Sequence, residues 1–145
     1  MKPPPQQLKV VRELDRHRCA HRALVFAREA GCSKVVAHQF ATSVSELAGN
    51  VLRHAGTGQV HMEVISEPWP GVEAVVDDTG PGFTDVVTVL EDRYSQGRTL
   101  TVDNQPWPYP GLGSGLGAVR RFMDYLSIEN RPSGGARVVI RKKAA

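Results

Sequence analysis

Between positions 33 and 55 this chain carries Val36, Phe40, Val44, Leu47 and Val51 at intervals of three and four residues, and no other feature limits its fold more. That spacing puts the five apolar side chains on one stripe of an α-helix, a face turned to a sheet. Ser33 is placed to cap the start of the helix, and Gly56-Thr-Gly58 to end it. Glu46 and Asn50 fall off the stripe, on a flank about 100° from its centre and about 40° from one another at 100° per residue. Two polar groups therefore emerge together at the edge of the core.

The rest of the chain supplies the sheet. Positions 8–14 mix β-branched and charged residues and predict an edge strand; 15–30, with Ala20, Leu24, Val25 and Ala27 at helical spacing and Gly31 beyond, predict a first helix. Positions 59–65 and 72–77 predict two antiparallel strands joined through Pro68-Trp-Pro-Gly71. A short helix is expected at 85–91, and the polar, proline-broken stretch of about 92–112, with Gln105-Pro-Trp-Pro-Tyr-Pro110, reads as a lid. Regularity returns at Ser114 with a helix whose face is Leu116, Val119, Phe122, Met123 and Leu126. A closing hairpin of 126–130 and 136–140 turns at Pro132-Ser-Gly-Gly135. Without a βαβ rhythm, this order predicts an α+β fold: a two-layer sandwich with a mainly antiparallel, mixed sheet and its helices on one face.

With 145 residues, 41% of them hydrophobic, the chain suits a single domain, 1–145, with a flexible start at 1–7. The net charge of +3 is mild, and Arg141-Lys142-Lys143 reads as a solvated tail, so no nucleic-acid partner is expected. The start has no apolar leader and no stretch is long enough to span a membrane, so a cytoplasmic protein is expected. Cys19 and Cys32 read as reduced, partly buried thiols.

Three constellations carry chemistry. The Asn50 amide oxygen suits magnesium, which commonly takes one or two protein oxygens beside phosphates and waters, and Glu46 one turn earlier is placed as a general base. Asp78, in Asp77-Asp-Thr-Gly-Pro-Gly82, is a carboxylate at a strand end that can accept a hydrogen bond from the exocyclic amine of adenine, with Gly80 and Gly82 admitting the ring. Gly111-Leu-Gly-Ser-Gly-Leu-Gly117 offers backbone N–H groups to a polyphosphate where a helix begins. This glycine run follows prolines rather than a strand, which rules out a dinucleotide fingerprint, and no Gly-Lys-Ser/Thr occurs to make a Walker motif.

In this order the three resemble the motif series of the GHKL (Bergerat-fold) ATPase superfamily. Ala41-Thr-Ser-Val-Ser-Glu-Leu-Ala-Gly-Asn50, Asp77-Asp-Thr-Gly-Pro-Gly-Phe83 and Gly115-Leu-Gly-Ala-Val-Arg-Arg-Phe-Met-Asp124 look closest to its bacterial anti-sigma factor and switch serine/threonine kinases. The resemblance implies ATP and Mg2+ as cofactors, with Asn50 as metal ligand, Glu46 as catalytic base and Asp78 as adenine reader. Gly80 and Gly82 would border the base, and Gly113, Ser114, Gly115, Leu116 and Gly117 the phosphates, with Arg53 in reach of them. It also implies phosphorylation of a STAS-domain antagonist protein, with a sigma factor or PP2C-type phosphatase as further partner and a possible homodimer. The alternative it leaves open is a nucleotide-dependent anti-sigma or phosphatase-activating module with little chemistry.

One position departs from the pattern: Ala136 follows Gly135 where many relatives carry an adenine-binding threonine, a hydrogen bond worth about 1 kcal/mol. The lid is also longer and richer in proline and aromatic residues than such kinases lead one to expect, with Arg93 and Arg98 as candidate phosphate cations and Trp107 and Tyr109 as packing. His17 and His21, one turn apart with no acidic partner, read as solvated imidazoles.

Overall fold

The computed structural model describes residues 2–79, 112–132 and 134–145. The helix expected at 85–91, the lid up to residue 111, and Gly80, Gly82, Arg93, Arg98, Trp107 and Tyr109 lie outside the described residues.

The first strand, β1 (Gln6–Val10), ends earlier than the expected 8–14, because α1 (Glu13–Glu29) begins there. The Asp15 carboxylate accepts the N–H groups of Val11 at 2.9 Å and Arg12 at 3.1 Å. A carboxylate reaching back to the donors of a helix start outweighs the β-propensity of Val11. Those two N–H groups, Val11 first, hold the Asp15 carboxyl below its ordinary value. At the far end Gly31 turns at φ +96°, and Cys32 N–H reaches Ala27 C=O at 3.0 Å, the closure that a left-handed residue gives a helix.

Helix α2 (Lys34–His54) starts where Ser33 Oγ accepts Val36 N–H at 3.2 Å. Strands β2 (Gly58–Ile65) and β3 (Gly71–Asp78), helix α3 (Leu112–Phe122) and strands β4 (Tyr125–Asn130) and β5 (Ala136–Lys143) complete the described elements. The sheet runs β1-β2-β3-β5-β4, and every ladder is antiparallel among the described residues.

The three described helices share one face of this sheet. Helix α2 touches β1, β2, β3 and β5, while α1 reaches β1 and α3 reaches β4, at opposite edges. Between the layers Val60, Met62, Val72, Ala74 and Ile140 alternate inward against Phe26, Phe40, Val44 and Leu47, all almost fully buried. Each large apolar side chain buried in this way is worth about 1.5–3 kcal/mol relative to exposure.

The opposite face is polar and paired. Asp77 meets Arg137 at 2.7 Å and His61 at 3.7 Å, Glu73 meets Arg141 at 2.7 Å, and the Arg141 guanidinium lies over the Tyr125 ring. The basic run at 141–143 is therefore not a solvated tail. It belongs to β5, where Arg141 stands opposite Glu73 and Lys142 lies 3.8 Å from Asp124. Strand pairing set by the inward-facing Val138 and Ile140 places Arg141 opposite Glu73.

Candidate functional site

Asp78 is the last residue of β3 and faces the helices, in step with Val72, Ala74 and Val76; it is buried. Its Oδ1 accepts the Ala136 N–H at 3.0 Å, and its C=O accepts from Arg131 Nη1 at 2.8 Å. Gly135, at φ +87°, makes this junction possible. A Cβ there would lie 2.0 Å from the Asp78 carbonyl oxygen and 2.9 Å from Oδ1, distances that only a glycine escapes.

The end of α2 comes down onto the same corner. A Cβ at Gly58 would meet Val51 Cγ1 at 2.8 Å and Asp78 Cβ at 3.3 Å, so the residue next to Asn50 and the β3 carboxylate share one small space. His54, in the last turn of α2, is held below its ordinary pKa by desolvation and then by the Arg53 cation; the negative charge of Asp78 opposes both.

Asn50 is buried, and its Oδ1 accepts from the Arg53 guanidinium. A neutral amide oxygen is a donor that magnesium takes, and the guanidinium would have to swing away for an ion to bind there. No group of three or more His, Cys, Asp or Glu gathers for a metal among the described residues. The donor set thus fits an ion that brings most of its ligands as phosphate and water oxygens.

Glu46 sits one turn earlier at the rim, its side chain 28% exposed and 3.5 Å from Arg16 Nη2. It lines one end of a groove of about 320 Å³ between α1 and α2, together with His21, His38, Thr42 and Ser45. A base there is accessible from outside, while Asn50 and Asp78 are not.

The glycine run is helical from Leu112, two residues before the expected start at Ser114, so Gly113, Ser114 and Gly115 form the first turn of α3 rather than a loop. Leu116 is buried in the core, where its side chain packs the domain, and Gly117 is also buried. Helix α3 lies against α2, which brings the run to the helix carrying Glu46 and Asn50.

Other expectations fall into place around this corner. Ala136 stands beside Asp78 and contributes its backbone N–H. Cys19 and Cys32 are free and more deeply buried than expected; burial, with Asp15 adding to it, pushes the Cys19 thiol up to about 11, and burial also raises Cys32. Neither is a nucleophile. His17 and His21 are exposed. No helix among the described residues is long and apolar enough to cross a membrane. Two arginines had no sequence signal: Arg131 reaches Asp78 across the sheet end, and Arg16 reaches Glu46 from another helix.

Comparison with known proteins agrees with this geometry. A family described as the histidine kinase-like ATPase domain matches residues 12–142. The serine/threonine-protein kinase RsbT of Bacillus subtilis (strain 168) is 32% identical over 113 residues, 77% of this chain and 76% of RsbT. The sensor-type histidine kinase PrrB of Mycobacterium leprae (strain TN) is 32% identical over 107 residues; these make up 70% of this chain but only 22% of PrrB. A match that runs through nearly every described element, with a buried Asn50 and Asp78 under one helix end, leads to one assignment: the chain belongs to the histidine kinase-like ATPase family of the GHKL superfamily, in the branch that RsbT represents.

Proposed function

We propose that this chain is an ATP-dependent serine/threonine protein kinase that phosphorylates a STAS-domain antagonist protein in the cytoplasm and so sets a switch in sigma-factor and stress signalling. The observation that carries it is the division of labour along α2: Asn50 is buried, next to the Val51 that shares the space at Gly58 with Asp78, and Glu46 stands one turn away at the open rim. A pure nucleotide binder has no use for a carboxylate at that rim.

Asp78 reads the adenine amine, and the N–H groups at the start of α3 and the Arg53 guanidinium hold phosphate oxygens. Asn50 would hold the magnesium ion, which neutralises charge on the triphosphate when bound. Glu46 takes the proton of the acceptor hydroxyl as its oxygen bonds to the γ-phosphorus and the bond to the β-phosphate oxygen breaks, releasing ADP. The similarity to RsbT supports the choice of a protein hydroxyl as acceptor.

The test uses the purified protein with ATP, magnesium and a STAS-domain protein. Phosphoserine or phosphothreonine should form on the STAS protein, and Glu46→Ala should abolish it while nucleotide binding stays intact. Tight nucleotide binding with no phosphorylated product, or an unchanged rate in Glu46→Ala, would sink the proposal. Partner capture that ignores Glu46→Ala, with no transfer in the parent, would instead make the chain a binding module.

A further inference from the structure

We propose that Arg16 is a positioning residue for the phosphotransfer: its guanidinium, lying on the bare backbone of Gly49, holds the Glu46 carboxylate where the acceptor hydroxyl must meet it. This rests on Glu46 being the proton acceptor.

Arg16 comes from α1, yet its three nitrogens find separate partners on both helices. Nε donates to Ser45 Oγ at 3.2 Å, Nη2 lies 3.5 Å from Glu46 Oε1, and Nη1 lies 3.6 Å from Glu13 Oε1. Three contacts in different directions fix the plane of a guanidinium, which one contact cannot do. Glu46 is in turn held through Oε1, leaving its second oxygen to take a proton.

Gly49 explains how the guanidinium fits. Glycine is the least favoured residue inside a helix short of proline, and α2 carries one in its interior, buried, three residues after Glu46. A Cβ there would lie 2.9 Å from Arg16 Cζ, 3.0 Å from Nη1 and 3.2 Å from Nε. The guanidinium occupies the place where any other residue would begin its side chain. The missing methyl at 49 thus gives Arg16 its seat, and the seat sets its distance from Glu46.

Arg16 neither gives nor takes a proton in the reaction, since a guanidinium stays charged throughout. It acts by restricting the base. A carboxylate on three rotatable bonds, left loose at a half-exposed rim, spends much of its time away from the in-line geometry, and small misplacements of a reacting group are costly.

Gly49→Ala is the most telling variant, because its extra methyl meets the far end of a flexible side chain and not backbone. It should fold and melt no lower than the parent, since alanine is the better helix former. Its kcat for phosphotransfer should fall about ten- to hundredfold, from misplacement of the base, with the Kd for ATP, read by a fluorescent nucleotide, unchanged. Arg16→Ala should lose a similar factor, Arg16→Lys should recover part of it by keeping a cation near Glu46, and the double variant should be no slower than Arg16→Ala alone, since both changes remove one contact. Full turnover in Gly49→Ala, a faster Arg16→Ala, or losses that multiply in the double variant would overturn the proposal. Glu46→Ala keeps the two ideas apart. If it stops transfer while the Arg16 and Gly49 variants run at full speed, only the positioning role fails; if it transfers normally, the base assignment fails and the positioning role with it.

Discussion

Around Asp78 the contacts have main-chain partners: the Ala136 N–H meets the carboxylate, the Asp78 carbonyl meets Arg131, and Gly135 lies close against that carbonyl, all in a buried corner. Around Glu46 they run between side chains of two helices, Arg16, Ser45 and Glu13, at a rim that is partly exposed. Main-chain contacts between strands have almost no freedom, whereas long side chains have several rotors each. A small rigid ligand such as a purine suits the first kind of wall. A protein acceptor, which arrives with its own shape, suits the second. On the function proposed above, the site is stiff where the nucleotide would lie and adjustable where a partner would dock.

The sharpest way to break this contrast is Gly135→Ala. With φ at +87° and the new methyl 2.0 Å from a backbone oxygen, it should cost about 3 kcal/mol or more by strain and overpacking combined, read by urea denaturation. It should abolish nucleotide binding as well. A stable, binding-competent variant would mean the Asp78 corner is as yielding as the Glu46 one.

A gentler probe adds to the stiff wall. Ala136→Thr supplies the hydroxyl that many relatives carry, and ATP affinity should tighten by about 1 kcal/mol, roughly fivefold, by calorimetry. Ala136 is almost fully buried, so weaker binding would show that the wall cannot admit even two more heavy atoms.

The smallest effect concerns the adjustable side and depends on pH. The folded carboxyl of Asp15 lies below its ordinary value, so the stability it lends to the start of α1 is whole above the ordinary carboxylate range and is lost as pH falls through the folded value. Asp15→Asn should lower the melting temperature at neutral pH, and the gap from the parent should close in acid, below about pH 4. A gap constant with pH would dissociate that carboxylate from the helix that carries Arg16.

Much of this architecture was legible in the chain. The stripe of Val36, Phe40, Val44, Leu47 and Val51 placed α2 on the sheet to within a residue or two, because helical period and caps are local signals. Glu46, Asn50 and Asp78 stood out because their chemistry is tied to short motifs. Boundaries were harder. The strand expected at 8–14 gave way to an Asp15 cap, and the basic residues at 141–143 looked like a tail because the acids near Arg141 and Lys142, Glu73 and Asp124, lie elsewhere in the chain. Arg131 and Arg16 were invisible for the same reason, since each acts on a residue distant in sequence. Gly49, a helix-weakening residue inside a strongly patterned helix, was passed over in the sequence, and its reason emerged only with the guanidinium lying on it.

The strand order has a temporal side. β5 lies between β3 and β4, and the amide that engages the Asp78 carboxylate belongs to a residue 58 positions downstream. During synthesis, β1, β2 and β3 can align as a three-stranded antiparallel sheet while Asp78 still lacks that amide. Only when β5 slides into the gap is the Asp78 corner closed. With Asp78 as the proposed adenine reader, a nascent chain stays blind to adenine until nearly all of the sheet has left the ribosome, and competence to bind arrives together with completion of the sheet.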